Sequence, residues 1–178
     1  MLRSLSIDPQ KCTGCLQCEM ACSFENEGVF NTARSRIKVF NFHDEGRFVP
    51  YTCTQCAEAW CLHACPVEAI TVNRLTGAKE VNASLCVGCK VCTIACPFGT
   101  VNYNADTGKV LKCDLCGGEP ACAQACPASA IVFGRIDDPN SLVSQKSLQS
   151  RGYKQLEELG TLPRVTYLNG ESNNGSNS

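Results

Sequence analysis

Sixteen cysteines in 178 residues fall into four consecutive groups of four: Cys12, Cys15, Cys18, Cys22; Cys53, Cys56, Cys61, Cys65; Cys86, Cys89, Cys92, Cys96; and Cys113, Cys116, Cys122, Cys126. Each group opens as CxxC and closes as CxxxC, and the first and third read CxxCxxCxxxC throughout. That spacing wraps cubane iron-sulfur clusters, because a short curled loop presents three sulfurs to one cube while the fourth leaves on the next helical turn. Four groups predict four 4Fe-4S clusters and a chain that conducts electrons. Structural zinc is the competing use of CxxC pairs. Three cysteines within a seven-residue loop overcrowd a mononuclear tetrahedral site, and the pattern repeats four times, so iron-sulfur ligation is the expectation.

The loops must then be built to curl. Gly14 and Gly88, inside CTGC and CVGC, suit positive φ and leave backbone amides free to face sulfur. In bacterial-type ferredoxins the fourth cysteine ligates the other cluster of a pair, which ties two loops together. Pro66, Pro97 and Pro127 follow that cysteine in three groups, and Ser23 stands there in the first.

Elements between the groups repeat as well. After Cys65 comes VEAITVNRLTGAKEVN and after Cys96 comes FGTVNYNADTGKVLK, each a strand, a Thr-Gly turn (Thr76-Gly77, Thr107-Gly108) and a second strand. ASAIVFG after Cys126 begins the unit again. Repetition at this period marks duplication of a unit made of a cluster loop, a helical turn and a strand. The stretch 25–51 interrupts it: Arg36 to Phe42, an HDEG turn and Arg47 to Tyr51 predict an inserted hairpin that covers one flank of a cluster. The fold class expected is α+β, tandem bacterial-ferredoxin-like units (a double ferredoxin) over 1–136. A C-terminal extension, 137–178, follows. In it Ser141 to Arg151 and Tyr153 to Leu159 read as short helices, Leu162 to Leu168 as a strand and ESNNGSNS as a disordered tail, the whole serving as a docking segment.

Composition sets limits. Hydrophobic residues make up 44%, but much of that is cysteine and alanine and there is one Trp, so clusters must stand in for an aliphatic core and cluster binding should be coupled to folding. The formal charge of −1 counts neutral thiols; four cubes at roughly −2 each with their thiolates bring the loaded protein near about −9. No basic run or basic aromatic patch is present, which excludes nucleic acid. The start MLRSLSIDPQK has no apolar signal core, and no stretch approaches the length of a membrane span, so a cytoplasmic protein without a direct membrane span is expected. A reducing cytosol also disfavours disulfides.

Other side chains are weighed against simple packing. Lys11, Lys112 and Lys90 sit beside cluster cysteines and are expected to be solvated. His43 and His63 are not needed as ligands where each cube already has four cysteines. Trp60 and Phe98 adjoin cluster loops and would shield sulfur from water. TIACPFGTV reads as core. There is no dinucleotide glycine fingerprint, no phosphate loop and no three-cysteine CxxxCxxC loop with a vacant iron, so no catalytic residue is assigned.

The cysteine motifs from Ser6 to Phe133 resemble the four-cluster ferredoxin subunits that serve molybdenum and tungsten oxidoreductases. The compact CDLCGGEPACAQAC (Cys113 to Cys126), without the longer insertion of dimethyl sulfoxide reductase-type subunits, and CTQCAEAWCLHACPVEAI (Cys53 to Ile70) are most similar to the small subunits of tungsten aldehyde oxidoreductase-type enzymes. These include aromatic aldehyde oxidoreductases and tungsten-dependent benzoyl-CoA reductases. The resemblance implies an electron-transfer subunit of anaerobic metabolism, working between a tungsten- or molybdenum-pterin catalytic subunit and a further redox protein. It also implies nested ligation: Cys12/Cys15/Cys18/Cys126, Cys113/Cys116/Cys122/Cys22, Cys53/Cys56/Cys61/Cys96 and Cys86/Cys89/Cys92/Cys65. Sequential pairing of the groups is the alternative. Alternatives for the role are an iron-sulfur subunit of a dimethyl sulfoxide reductase-type enzyme and a freely diffusing polyferredoxin.

Overall fold

A computed structural model describes residues 3–135 and the backbone of the short strand Thr166–Tyr167. The helices and tail expected from Asp137 onward otherwise lie outside the described residues. The rest is α+β: small strands and brief helices strung between cysteine loops.

Strand β1 (Arg3–Ile7) lies between two others. It pairs antiparallel with β8 (Ile131–Arg135), Ile7 opposite Ile131, and parallel with β9 (Thr166–Tyr167). The chain's first strand therefore closes against the strand that follows the fourth cysteine group. Both edges of β1 are paired, and because Ser4, Leu5, Ser6 and Ile7 are all buried, both of its faces are covered as well. Helix α1 (Gln17–Glu27) carries the end of the first group and packs on α4 (Ala121–Gln124), which carries the end of the fourth. Between them in sequence, α2 (Trp60–His63) packs on α3 (Val91–Ala95). Two cores result. One joins Leu5, Ile7, Ile37, Leu115 and Ile131 to Cys18, Cys22, Cys113 and Cys122. The other joins Ile70, Val101 and Val110 to Cys61, Cys86 and Cys92. Cysteines are thus core residues, as the shortage of aliphatic side chains requires.

The predicted hairpins form with their turns in place: β4 (Ile70–Val72) with β5 (Lys79–Val81), and β6 (Asn102–Asn104) with β7 (Lys109–Leu111). The inserted hairpin is β2 (Ile37–Phe42) with β3 (Arg47–Thr52), Phe42 opposite Arg47 across the His43–Glu45 turn. Its start differs from expectation, because α1 runs on to Glu27 and ends at Gly28 in the left-handed region. The reason is local. In the other groups proline follows the last cysteine and stops the helix, whereas Ser23 keeps its amide, donates its hydroxyl to Met20 O and accepts from the Asn31 amide. TIACPFGTV divides: Val101 is core, but Ile94 is 85% exposed.

Candidate metal centres

Each CxxC loop turns through a residue of positive φ at its third position: Gly14 (70°), Gln55 (49°), Gly88 (70°) and Leu115 (60°). A non-glycine there costs about 1–3 kcal/mol unless the surroundings hold it. Leu115 is held by burial in the first core, and Gln55, wholly buried, by two hydrogen bonds: Nε2 donates to Cys113 O (2.6 Å) and Oε1 accepts from the Lys79 amide (3.0 Å). The alignment of Gln55 and Leu115 with the two glycines was the available sequence signal, and it was missed.

The fourth cysteines are set by a second recurring turn. After Cys65-Pro66 and Cys126-Pro127 the chain folds back so that the amides of Ala69 and Ala130 point at the sulfurs four residues earlier, each at 3.3 Å. Thr100 Oγ1 stands in the same relation to Cys96, at 3.5 Å. Cys22 lacks the proline turn, and there the inserted hairpin supplies the donor: the Arg36 amide reaches Cys22 Sγ at 3.3 Å, with Asn26 Nδ2 at 3.7 Å. Amides aimed at sulfur favour the negatively charged, metal-bound form.

Two cavities show which sulfurs meet. One is lined by Cys12, Cys15, Cys18 and Cys126, and roofed by Val39 and Pro50 of the inserted hairpin. Another is lined by Cys53, Cys56, Cys61 and Cys96 with Trp60 and Phe98 at its wall. Trp60 and Phe98 therefore stand where the sequence suggested, although Trp60 is still 48% exposed. For the remaining cysteines the neighbours are electrostatic. Cys122 feels Cys113, Cys22 and Cys116, and Cys92 feels Cys65, Cys89 and Cys86.

Burial, reinforced by the Glu19 carboxylate and then by Cys12, pushes the Cys18 thiol up to about 12, and burial, partly offset by Lys112, pushes Cys61 up to about 11. Such sulfurs stay protonated unless a metal cation displaces the proton. A single tetrahedral ion with arms of about 2.3 Å needs sulfurs within about 3.8 Å of one another, and among the described residues no group of three or more His, Cys, Asp or Glu could hold one.

The flanking side chains sort themselves. Lys11 is exposed and paired with Asp8 (3.8 Å), and Lys90 is exposed over the Tyr103 ring (4.0 Å). Lys112, expected in solvent, is 3% exposed. Burial works to lower its pKa, but the sulfurs of Cys53, Cys113 and Cys61 outweigh burial and raise it. It is held inside because Nζ donates to Lys79 O (2.7 Å) and Cys113 O (2.9 Å). His63 faces Glu58 at 3.7 Å on the surface, and His43 opens the hairpin turn. Tyr51 Oη donates to Phe98 O (2.9 Å) beside the second cavity, a contact without a sequence signal.

Residues 45–136, more than half of the chain, match the family described as the 4Fe-4S dicluster domain. The chain belongs to the 4Fe-4S dicluster family. A further match, to the 4Fe-4S binding domain, covers residues 5–25 of this dicluster protein. Together with sixteen cysteines in four groups it gives the dicluster protein the ligands for four 4Fe-4S clusters, in place of zinc.

Two relatives are similar over much of its length. The polyferredoxin-like subunit of an aliphatic sulfonate oxidoreductase from Pyrococcus furiosus is 45% identical over 62% of this chain and 63% of its own, so just under two thirds of that relative is spanned. Protein NrfC of Escherichia coli K12 is 36% identical over 89% of this chain and 76% of its own. Among solved structures, the active site complex BamBC of benzoyl coenzyme A reductase as isolated aligns at 26% identity over 89% of this chain and 96% of that one, with a TM-score of 0.44. The dicluster protein is accordingly a ferredoxin-like, iron-sulfur electron-transfer protein of the kind found in oxidoreductases. Among its described residues no helix is long and apolar enough to cross a membrane.

Proposed function

We propose that this chain is the non-catalytic electron-transfer subunit of an oxidoreductase, built as two ferredoxin-like units, one nested inside the other. The observation that carries the nesting is the composition of the two cavities, Cys126 completing the first group and Cys96 the second. Nested ligation gives four sets: Cys12/Cys15/Cys18/Cys126, Cys113/Cys116/Cys122/Cys22, Cys53/Cys56/Cys61/Cys96 and Cys86/Cys89/Cys92/Cys65. Pairing of β1 with β8, and packing of α1 on α4 and α2 on α3, supports the same reading.

When bound, each cube supplies a site that accepts and releases one electron at a time. Cysteines of neighbouring sets support one order for those sites. Cys122 feels Cys18, linking the first and second sets, and Cys113 feels Cys53, linking the second and third. Only two of the sixteen cysteines, Cys15 and Cys89, are exposed, and they fall in the first and last sets. The protein therefore buries its middle and opens its ends, as a relay between two partners requires.

The partner we propose is a tungsten- or molybdenum-pterin catalytic subunit of the aldehyde oxidoreductase or benzoyl-CoA reductase type, with a second redox protein at the far end. The compact fourth motif supports that choice, and the subunit role of the sulfonate oxidoreductase relative supports the assignment to a complex. Residues 137–178 are the proposed docking segment. Purification from the native source tests both points: tungsten or molybdenum should copurify, and deletion of 137–178 should abolish the complex while cluster content stays. A preparation with iron but neither tungsten nor molybdenum, or a deletion that leaves the complex intact, contradicts the proposal and favours a diffusing shuttle.

A further inference from the structure

A closed polar ring lies where the two proposed units meet. Gln55, in the second cysteine loop, donates to Cys113 O and accepts from the Lys79 amide; Lys112 donates to that same Cys113 O and to Lys79 O. Gln55 is wholly buried, and Lys112 is 3% exposed. Lys112 also lines the cavity of Cys53, Cys56, Cys61 and Cys96. The two carbonyls take two of the three N–H groups of an ammonium and leave the third for the sulfur-lined cavity. A cation so far from water is costly unless negative charge stands beside it. Cys53 and Cys61 belong to one proposed cluster set and Cys113 to the next. Neighbouring Lys79, also buried, turns its own ammonium to Gly77 O.

We infer that Lys112 is a tuning residue: a buried ammonium between the second and third cluster sites that biases both toward the reduced state. This rests on the four-cluster reading and adds to it. A cube gains negative charge on reduction, so a cation beside its ligands favours the reduced form and raises the potential. Lys11 and Lys90, exposed and screened by water, do not act in this way. The interior sites of the relay are thereby made its electron-holding point.

The test is a potentiometric titration of the reconstituted full chain, read by low-temperature paramagnetic resonance, for wild type and the variants Lys112→Met, Lys112→Gln and Lys112→Arg. At fixed solution potential the neutral variants should lower the reduced-to-oxidised ratio at one or two of the four clusters by at least about tenfold, which is about 59 mV for a one-electron couple. The arginine variant should stay near wild type. Unchanged midpoints in an iron-replete neutral variant overturn the inference. So does an arginine variant shifted as far as the methionine variant, which would make lost packing the cause. Loss of iron from both neutral variants overturns it too, since the lysine would then hold the loops instead of setting the potential. A wild-type chain that fails to take up about sixteen irons would instead be a failure of the cluster reading.

Discussion

Substitution of Gly88 by alanine should remove one cluster from the protein, and the size of the effect can be built up from three glycines that share a left-handed backbone. Gly28, Gly14 and Gly88 have φ of 68°, 70° and 70°, so alanine at any of them bears about 1 kcal/mol of backbone strain. They differ in what the new methyl group would meet. At Gly28 nothing lies within 4 Å. At Gly14 the methyl would lie 2.6 Å from the ring of Phe48, a half-buried side chain that can swing aside at about 1 kcal/mol. At Gly88 the methyl would sit on the Gly108 carbonyl oxygen, part of the backbone turn that joins β6 to β7. Moving that turn displaces a hydrogen-bonded hairpin and should cost about 2–3 kcal/mol more. The expected order is therefore about 1, 2 and 3–4 kcal/mol. Anaerobic denaturant unfolding followed through cluster absorbance reads that order, and iron analysis reads its consequence: Gly88→Ala should retain about twelve irons where Gly28→Ala keeps the full complement. Equal midpoints for Gly88→Ala and Gly28→Ala would refute the reasoning, because the close approach of the two backbones would then carry no energy.

Nested ligation is tested by paired substitutions: Cys12→Ser with Cys126→Ser falls within one set and should leave about twelve irons, whereas Cys12→Ser with Cys22→Ser falls in two sets and should leave about eight. About eight irons in both variants would contradict nesting and favour sequential pairing, in which neither pair of cysteines shares a set. The single tryptophan, Trp60, lines the cavity of Cys53, Cys56, Cys61 and Cys96, so its emission should be quenched in the loaded protein and recover when iron is chelated; emission indifferent to iron would place that cluster elsewhere. Replacing Tyr51 by phenylalanine removes the donor to Phe98 O and should lower the unfolding free energy by about 1 kcal/mol, with no change in iron count, as measured by anaerobic denaturation.

Much of the site could be read from the sequence because cluster ligation is a matter of short spacings: the loops, the glycines at their third position and the Thr-Gly hairpins are all local signals. The inserted hairpin was visible through its alternation, and its covering role follows from Val39 and Pro50 at the first cavity. What stayed hidden depends on contacts distant in sequence. Lys112 looks like a surface lysine in any window of residues, and only the approach of Lys79, 33 positions away, encloses it. Gln55 takes a backbone conformation that glycine usually fills because Cys113 and Lys79 supply partners that its own loop cannot. The extension of α1 to Glu27 was in principle legible, since Ser23 stands where proline ends the other helices.

Iron and acid-labile sulfide analysis of the anaerobically reconstituted full chain tests the central claim most directly. About sixteen of each per molecule, with low-temperature paramagnetic signals appearing on reduction, is the predicted result. Zinc in their place, or about eight irons with half the cysteines still reactive to thiol reagents, would contradict it.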